Sequence, residues 1–236
     1  MRKLRRAGTA VAVMSLVLTL SAFTRGGARG AVTVVPGGPL VTVAGQVLPA
    51  STSRPGHTVI HSLNWAGYAA NRARTTFRSV SASFPVPYVN CQGTTSSYSS
   101  HWVGLDGLGS SSVEQVGIEA DCSGSKAQYY AWYEMYPKRV TVVFPVRAGN
   151  AVQASVTYKR STRKFVLMLR DLTNGRRLTR TLKCAAKACL RSSAEVISEA
   201  PSNGTGGILP LADYRAESFS SITLTTSGGR RSGLSS

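Results

Sequence analysis

Period-two alternation of apolar and polar residues recurs along this chain, and helical periodicity does not. Val80, Ala82 and Phe84 alternate with Ser79, Ser81 and Ser83. Val152, Ala154, Val156 and Tyr158 alternate with Gln153, Ser155 and Thr157, and Ile222 and Leu224 alternate with Ser221, Thr223 and Thr225. Such runs place one set of side chains on each face of a strand. Residues 165–172 and 178–182 flank Asn174-Gly175, a strong hairpin signal. No stretch repeats apolar positions at helical spacing for long enough to make a helix. Many short strands separated by Gly, Pro and Ser turns predict an all-β domain, a sandwich or a barrel. The strand signals run from about residue 57 to 226, and ~170 residues are ample for one hydrophobic core.

The ends read differently. Residues 1–30 have the pattern of a secretory signal: Arg2, Lys3, Arg5 and Arg6, then a mostly apolar run over 10–20, then small residues. That run is too short to span a membrane, and nothing else approaches the ~20 apolar residues required. The reading is a secreted, extracellular protein. Residues 31–56 carry no charge before Arg54 and little amphipathic pattern, so they are expected to be a loosely held extension: a pro-segment, a linker or an extra edge strand. Residues 227–236 are expected to be a flexible tail. The four cysteines behind such a leader predict disulfides. Cys184 and Cys189 are close enough for a small loop, which leaves Cys91 with Cys122. Their spacings are not those of a metal site, and no metal or other cofactor is expected.

The net charge of +18 is unevenly spread. From Lys138 to Arg191 there are fourteen Lys or Arg and one acid, Asp171. From Trp102 to Glu134 there are five acids and one base, Lys126. The basic block is either a solvated surface or a weak attractor of anionic polymers. No nucleic-acid motif accompanies it, so no specific nucleic-acid partner is expected.

The stretch 101–137 stands apart. It holds Trp102 and Trp132, and the acids Asp106, Glu114, Glu119, Asp121 and Glu134. Gln115, Gly117 and Glu119 alternate with Val116 and Ile118. Tyr129, Ala131, Tyr133 and Met135 share one face; Tyr130, Trp132, Glu134 and Tyr136 share the other. A carboxyl among aromatic rings suits a groove that grips an extended ligand. It equally suits a sheet whose outer aromatics rest under a loop.

The motifs in this stretch resemble those of the glutamic peptidases, the eqolisins. Trp102-Val103-Gly104-Leu105-Asp106-Gly107, then Val113-Glu114-Gln115-Val116-Gly117, then Ala131-Trp132-Tyr133-Glu134-Met135-Tyr136-Pro137 follow the family order. Asn64-Trp65-Ala66-Gly67 resembles the family's early motif, and Ala194-Glu195-Val196-Ile197-Ser198-Glu199 its late one. Met135 departs, standing where many members have Trp, and Glu199 is followed by Ala200-Pro201 rather than by acidic and aromatic residues. The resemblance implies an antiparallel β-sandwich of two curved sheets, like the concanavalin A and legume lectins. It implies an acid-acting endopeptidase, monomeric, with polypeptide substrates. It matches Gln115 and Glu199 to the catalytic pair. Trp65, Trp102, Asp106, Tyr133 and Glu134 match positions that line the substrate groove or hold the pair.

The chemistry fits those residue types. Water attacking a peptide carbonyl needs a base, which an ionised Glu supplies. The oxyanion that forms needs a fixed donor, which a Gln amide supplies. The chain has no GxSxG elbow, HExxH or phosphate loop. A serine triad using His101 and Asp106 has serines enough but nothing that groups them. The rival function is a non-catalytic sandwich that binds glycan or anionic cell-wall polymer through its aromatic face and basic hairpin.

Overall fold

The structure is a computed structural model and describes residues 39–47, 60–93, 96–203 and 206–233. The expected signal, 1–30, lies outside them. In chain order the strands are β1 (Thr42–Val47), β2 (Ile60–Ser62), β3 (Trp65–Asn71), β4 (Phe77–Pro85), β5 (Ser96–Ser97), β6 (Ser100–Leu105), β7 (Val113–Ser123) and β8 (Lys126–Tyr136). They continue as β9 (Thr141–Pro145), β10 (Ala151–Lys159), β11 (Lys164–Asp171), β12 (Arg177–Leu182), β13 (Ser193–Glu199), β14 (Ser220–Thr226) and β15 (Arg231–Ser232). No helix occurs among the described residues.

Of these strands, β1 and β2 form a two-stranded sheet, and the other thirteen form two antiparallel sheets. One is ordered β12-β11-β10-β4-β14-β15, the other β3-β13-β6-β7-β8-β9 with β5 paired to β7. The first obeys the alternation read from the sequence. Val80, Ala82 and Phe84 of β4, Val152, Ala154 and Val156 of β10, and Phe165, Leu167 and Leu169 of β11 are buried; the residues between them are not. The register places Val156 against Val80 on one side and Leu167 on the other, so one apolar layer runs across the sheet. That layer meets Val103, Leu105, Val116, Ile118, Ala131 and Val196 of the second sheet in the main core. A face that pairs apolar side chains across every strand is the arrangement that stabilises a sandwich.

The second sheet departs from simple alternation. Every residue of β6 and β13 is buried, and all of β7 except its last. These central strands are therefore covered on both faces. The inner face joins the main core. The outer face carries a second cluster of Trp65, Trp102, Val113, Tyr130, Trp132, Val140 and Ile197.

Both predicted disulfides form. Cys91–Cys122 spans a Cα–Cα distance of 5.4 Å and Cys184–Cys189 one of 5.8 Å. The Asn-Gly hairpin joins β11 to β12, with Gly175 at φ +71°. Asp171 fixes that turn by accepting from the backbone N–H groups of Thr173 and Asn174 and from the amides of Asn174 and Asn150.

Two segments expected to be loose are paired. Strand β1, inside the 31–56 extension, pairs with β2. Just before it, Val41 N donates to Asn64 Oδ1 at 2.8 Å and Leu63 N to Val41 O at 2.9 Å. The chain also turns after Thr226 through Gly229, and β15 runs back along β14. The pairing of β1 matches the edge strand, one of the three readings of 31–56. Backbone pairing needs no amphipathic side-chain pattern, which is why composition did not single out β1 and did not reveal β15.

Candidate active site

Register assembles the outer face of the second sheet in three rows. Glu199, Ser100, Glu119 and Tyr130 lie side by side across β13, β6, β7 and β8, with Trp65 of β3 at the row's end. The next row is Gly67, Ile197, Trp102, Gly117 and Trp132. The third is Ala69, Glu195, Gly104, Gln115 and Glu134. Residues far apart in sequence thus share one surface because antiparallel neighbours repeat every second position.

Trp102 ties the rows together. Its indole Nε1 donates to Glu199 Oε2 at 2.8 Å, and its ring meets Trp65 edge-on with centroids 5.0 Å apart. The ring's other end lies over Gly104. A Cβ at residue 104 would sit 2.8 Å from Trp102 Cζ3 and 3.3 Å from the Cβ of Gln115. A Cβ at residue 117 would meet His101 O at 2.3 Å and Trp102 Cβ at 2.5 Å. Both positions must be glycine for the indole to lie flat between Glu199 and Gln115.

Each end of the indole carries a polar group. Glu199 is fully buried and also receives the Asn64 side-chain amide, Nδ2 to Oε1 at 3.5 Å. Gln115 is fully buried too, and its Nε2 lies 2.6 Å from Glu134 Oε2. Burial first, and then the charge of Glu199, push the Glu134 carboxyl well above the usual carboxylate range, while the Gln115 bond pulls it the other way. Trp65 and Trp132 each have a buried indole N–H with no partner, so the face holds unused donors.

Asp106 and Tyr133 sit elsewhere. Asp106 accepts from Arg191 N at 2.7 Å, Ser192 N at 2.9 Å, Ser192 Oγ at 3.1 Å and Ser112 Oγ at 3.4 Å. It anchors the residues leading into β13, the strand that carries Glu199, and its recorded bonds do not reach Gln115. Tyr133 is on the inner face, packed on the main core beside Ala131 and Met135, with the Arg180 guanidinium 5.8 Å from its ring centroid. It shares no face with Gln115, Glu134 or Glu199, because it is one residue out of step with Glu134. The structure thus brings together Gln115, Glu134, Trp102, Trp65 and Glu199, and leaves Asp106 as a support and Tyr133 across the sheet.

Four residues beyond the candidates read from the sequence belong to this surface. Asn64 touches Glu199 and also holds the backbone of Pro39 and Val41, at 3.2 and 2.8 Å. Its place next to Trp65 in the early motif was the available signal. Ser100 donates to Glu119 Oε1, and together they continue the row beyond Glu199. Burial, then Asp121, then Glu199 raise the Glu119 carboxyl well above normal, with Ser100 opposing. The alternation had already placed Glu119 on the face of Gln115. Leu40 packs against the aromatic cluster of this face, and its N–H reaches Gly107 O at 3.4 Å.

His101 faces inward from β6. Burial lowers its imidazole to about 3, so the ring is neutral. It contacts Ser198 Oγ at 3.0 Å and Ser99 Oγ at 3.3 Å, and stacks edge-on against Tyr214. Asp106 makes its bonds at the other end of β6, so a triad of His101 with Asp106 is not assembled. Among the described residues no three His, Cys, Asp or Glu side chains group as a metal site, and no helix is long and apolar enough to cross a membrane.

A two-sheet antiparallel sandwich with carboxyls and an amide buried beneath tryptophans fits a peptide hydrolase of the glutamic class. Residues 63–236 match the Peptidase A4 family, and the chain belongs to it. It is similar to scytalido-glutamic peptidase, solved with a transition state analog inhibitor, at 28% identity and TM-score 0.61, over 73% of this chain and 84% of that one. It is also similar to SCP-B, a member of the Eqolisin family solved in complex with the tripeptide Ala-Ile-His, at 26% identity and TM-score 0.56, over 70% and 81% of the two chains. A comparison with curated protein sequences returned no match. The protein is a glutamic endopeptidase acting on polypeptides.

Proposed function

We propose that this chain is a secreted, acid-acting endopeptidase that cleaves peptide bonds with Glu199 as general base and acid and Gln115 as oxyanion stabiliser. Ionised Glu199 takes a proton from water as the water oxygen attacks the peptide carbonyl. Negative charge then collects on the carbonyl oxygen, and an N–H of the Gln115 amide stabilises it. Glu199 returns the proton to the leaving nitrogen as the C–N bond breaks. The observation that carries this reading is the Trp102 indole, which bonds Glu199 at one end and closes over Gly104 beside Gln115 at the other. That fixes a base and a donor on one buried face, as the chemistry requires.

The test is digestion of denatured casein by the secreted protein across acid to mildly alkaline pH, beside Glu199→Gln. The native protein should cleave in acid. Glu199→Gln keeps the shape and removes the base, so turnover should fall by about 10²–10⁴ while the fold persists. A Glu199→Gln protein with native turnover would move the base to another carboxyl of this face. No cleavage at any pH would favour the glycan-binding alternative.

A further inference from the structure

We propose that Glu134 works as a neutral carboxylic acid, donating its O–H to Oε1 of Gln115 and so turning both amide N–H groups of Gln115 toward the substrate oxygen. This rests on Gln115 and Glu199 being the catalytic pair, and it makes Glu134 a positioning residue whose ionisation ends activity at higher pH.

The geometry comes first. Gln115 and Glu134 are direct cross-strand partners on β7 and β8. Gln115 Nε2 and Glu134 Oε2 are 2.6 Å apart. That is shorter than the ~2.7–3.2 Å of an N–H···O bond and falls in the ~2.5–3.0 Å range of an O–H···O bond. Gln115 Oε1 and Glu134 Oε1 are both buried without a partner. An amide turned by half a revolution has almost the same shape, with oxygen and nitrogen exchanged. If Glu134 is an acid, that half-turn gives its proton an acceptor in Gln115 Oε1 and frees the whole NH₂ group. With Glu134 ionised, one N–H stays tied to the carboxylate, and the amide oxygen lies beside the place where negative charge develops.

The surroundings keep Glu134 neutral. It is 1% exposed. Across its face stand Glu195 and Glu199 of β13, both carboxyls. From β7 it meets only the neutral amide of Gln115, and β9 carries no titratable side chain. On its own strand face lies Tyr136, and the cations that follow, Lys138 and Arg139, are exposed. A buried carboxylate with no cationic partner and the charge of Glu199 on its face is costly, and a proton removes that cost. The raised Glu134 carboxyl described above agrees with this. As pH rises and Glu134 ionises, it becomes an acceptor only. The amide then turns its N–H groups back to Glu134, and the oxyanion loses a donor. This supplies the alkaline limb of an acid-acting enzyme.

The experiment is a pH profile of kcat/KM on the secreted protein for native, Glu134→Gln and Glu134→Ala, using a neutral peptide substrate. In Glu134→Gln the new amide can donate to Gln115 Oε1 at every pH, so the alkaline limb should move up by at least one pH unit or vanish, whatever the height of the profile. Glu134→Ala should lower kcat by more than tenfold with a smaller change in KM. A Glu134→Gln profile that keeps the native alkaline limb overturns the proposal. A second readout covers variants that fold poorly. Several buried carboxyls are protonated at pH 5, so the readout is the native-minus-Glu134→Gln infrared difference. It should hold one protonated-carboxyl C=O band, and absence of that difference band overturns the proposal by itself. Glu199→Gln run in parallel separates the two ideas. Activity retained there breaks the catalytic pair, whereas the infrared band reports on Glu134 alone.

Discussion

The two sheets of this sandwich handle charge in opposite ways. Of the ten acidic residues, Asp106, Glu114, Glu119, Asp121, Glu134, Glu195 and Glu199 lie in or at the ends of strands of the β3-β13-β6-β7-β8-β9 sheet, and all seven are buried. The other sheet has one acid, Asp171. Its outward residues are Ser81, Ser155, Thr157 and Thr223, with exposed Arg170, Arg177 and Arg231 toward the edge strands. One sheet keeps cations in water and alternates along its central strands β4, β10 and β11. The other buries carboxyls with neither alternation nor cations to match. A plain sandwich gains nothing from seven buried acids, so the asymmetry supports placing the proposed chemistry on this sheet.

The sharpest way to break that comparison is to remove one polar group from each sheet. Gln115→Ala should lower kcat by roughly 10²–10³, the scale set by loss of one oxyanion donor, with little change in KM. Ser81→Ala, on the outward face of β4, should leave turnover as it is. Equal losses in the two variants would remove the distinction between a working sheet and a supporting one. Trp102→Phe comes next. It keeps most of the packing and deletes the Nε1 bond to Glu199, a bond to a charged group worth about 1.5–3 kcal/mol. Turnover should fall by at least about tenfold.

The comparison extends to pH. Burial first, then Asp106, raises the Glu114 carboxyl to about 9, and burial raises Glu217 to about 8. Burial raises Glu119, Asp121, Glu134 and Glu195 as well. In each case the folded protein holds a proton that the unfolded chain releases above about pH 4.5. The stability these groups contribute is complete below that pH and is lost as pH rises toward their folded values. Asp171 has the opposite sign. Burial pushes it up, but bonds from Asn174, Asn150 and Thr173 hold it below normal, so its contribution fades as pH falls below about 4. Thermal unfolding should therefore show a maximum in mild acid and a decline toward pH 9. Each unit of separation costs ~1.4 kcal/mol per group, or roughly 3–5 °C. Glu114→Gln should flatten the decline, and a melting temperature constant from pH 5 to 9 would contradict the protonated carboxyls.

These differences also show what the sequence made legible. The alternating strands of the first sheet were readable because one face is wet. The second sheet was readable only in part, since a strand buried on both faces loses its alternation. There the motifs carried more than the periodicity, and they pointed to residues that the register does join, such as Trp102 and Glu199, which are 97 positions apart. At Tyr133 the two lines of reading conflicted. Period two set it opposite to Glu134, the family match put both at the groove, and the structure follows the period. Asn64 reaching Glu199 across 135 positions, and strands β1 and β15, depend on long-range backbone pairing that leaves no local pattern.

The smallest expected effect lies on the basic hairpin. Arg170 and Arg177 are exposed and directly opposite one another on β11 and β12. Like charges so placed repel, at a cost of ~0.2–1 kcal/mol. Arg170→Gln with Arg177→Gln should therefore raise the melting temperature by about 1–3 °C and change turnover of a neutral peptide by less than about twofold. Arg176 and Arg180 are a different case, although they belong to the same cationic run. Arg176 Nη1 donates to Pro145 O of β9 at 3.0 Å, and Arg180 stands over the Tyr133 ring of β8. They are the hairpin's contacts with the sheet that carries Gln115 and Glu199, so neutralising them should lower stability slightly where the first pair raises it. The sign of the two melting shifts is the measurement. If both pairs shift it the same way, the hairpin is a uniform solvated surface. Opposite signs divide it into a free outer row and a row that braces the back of the active-site strands.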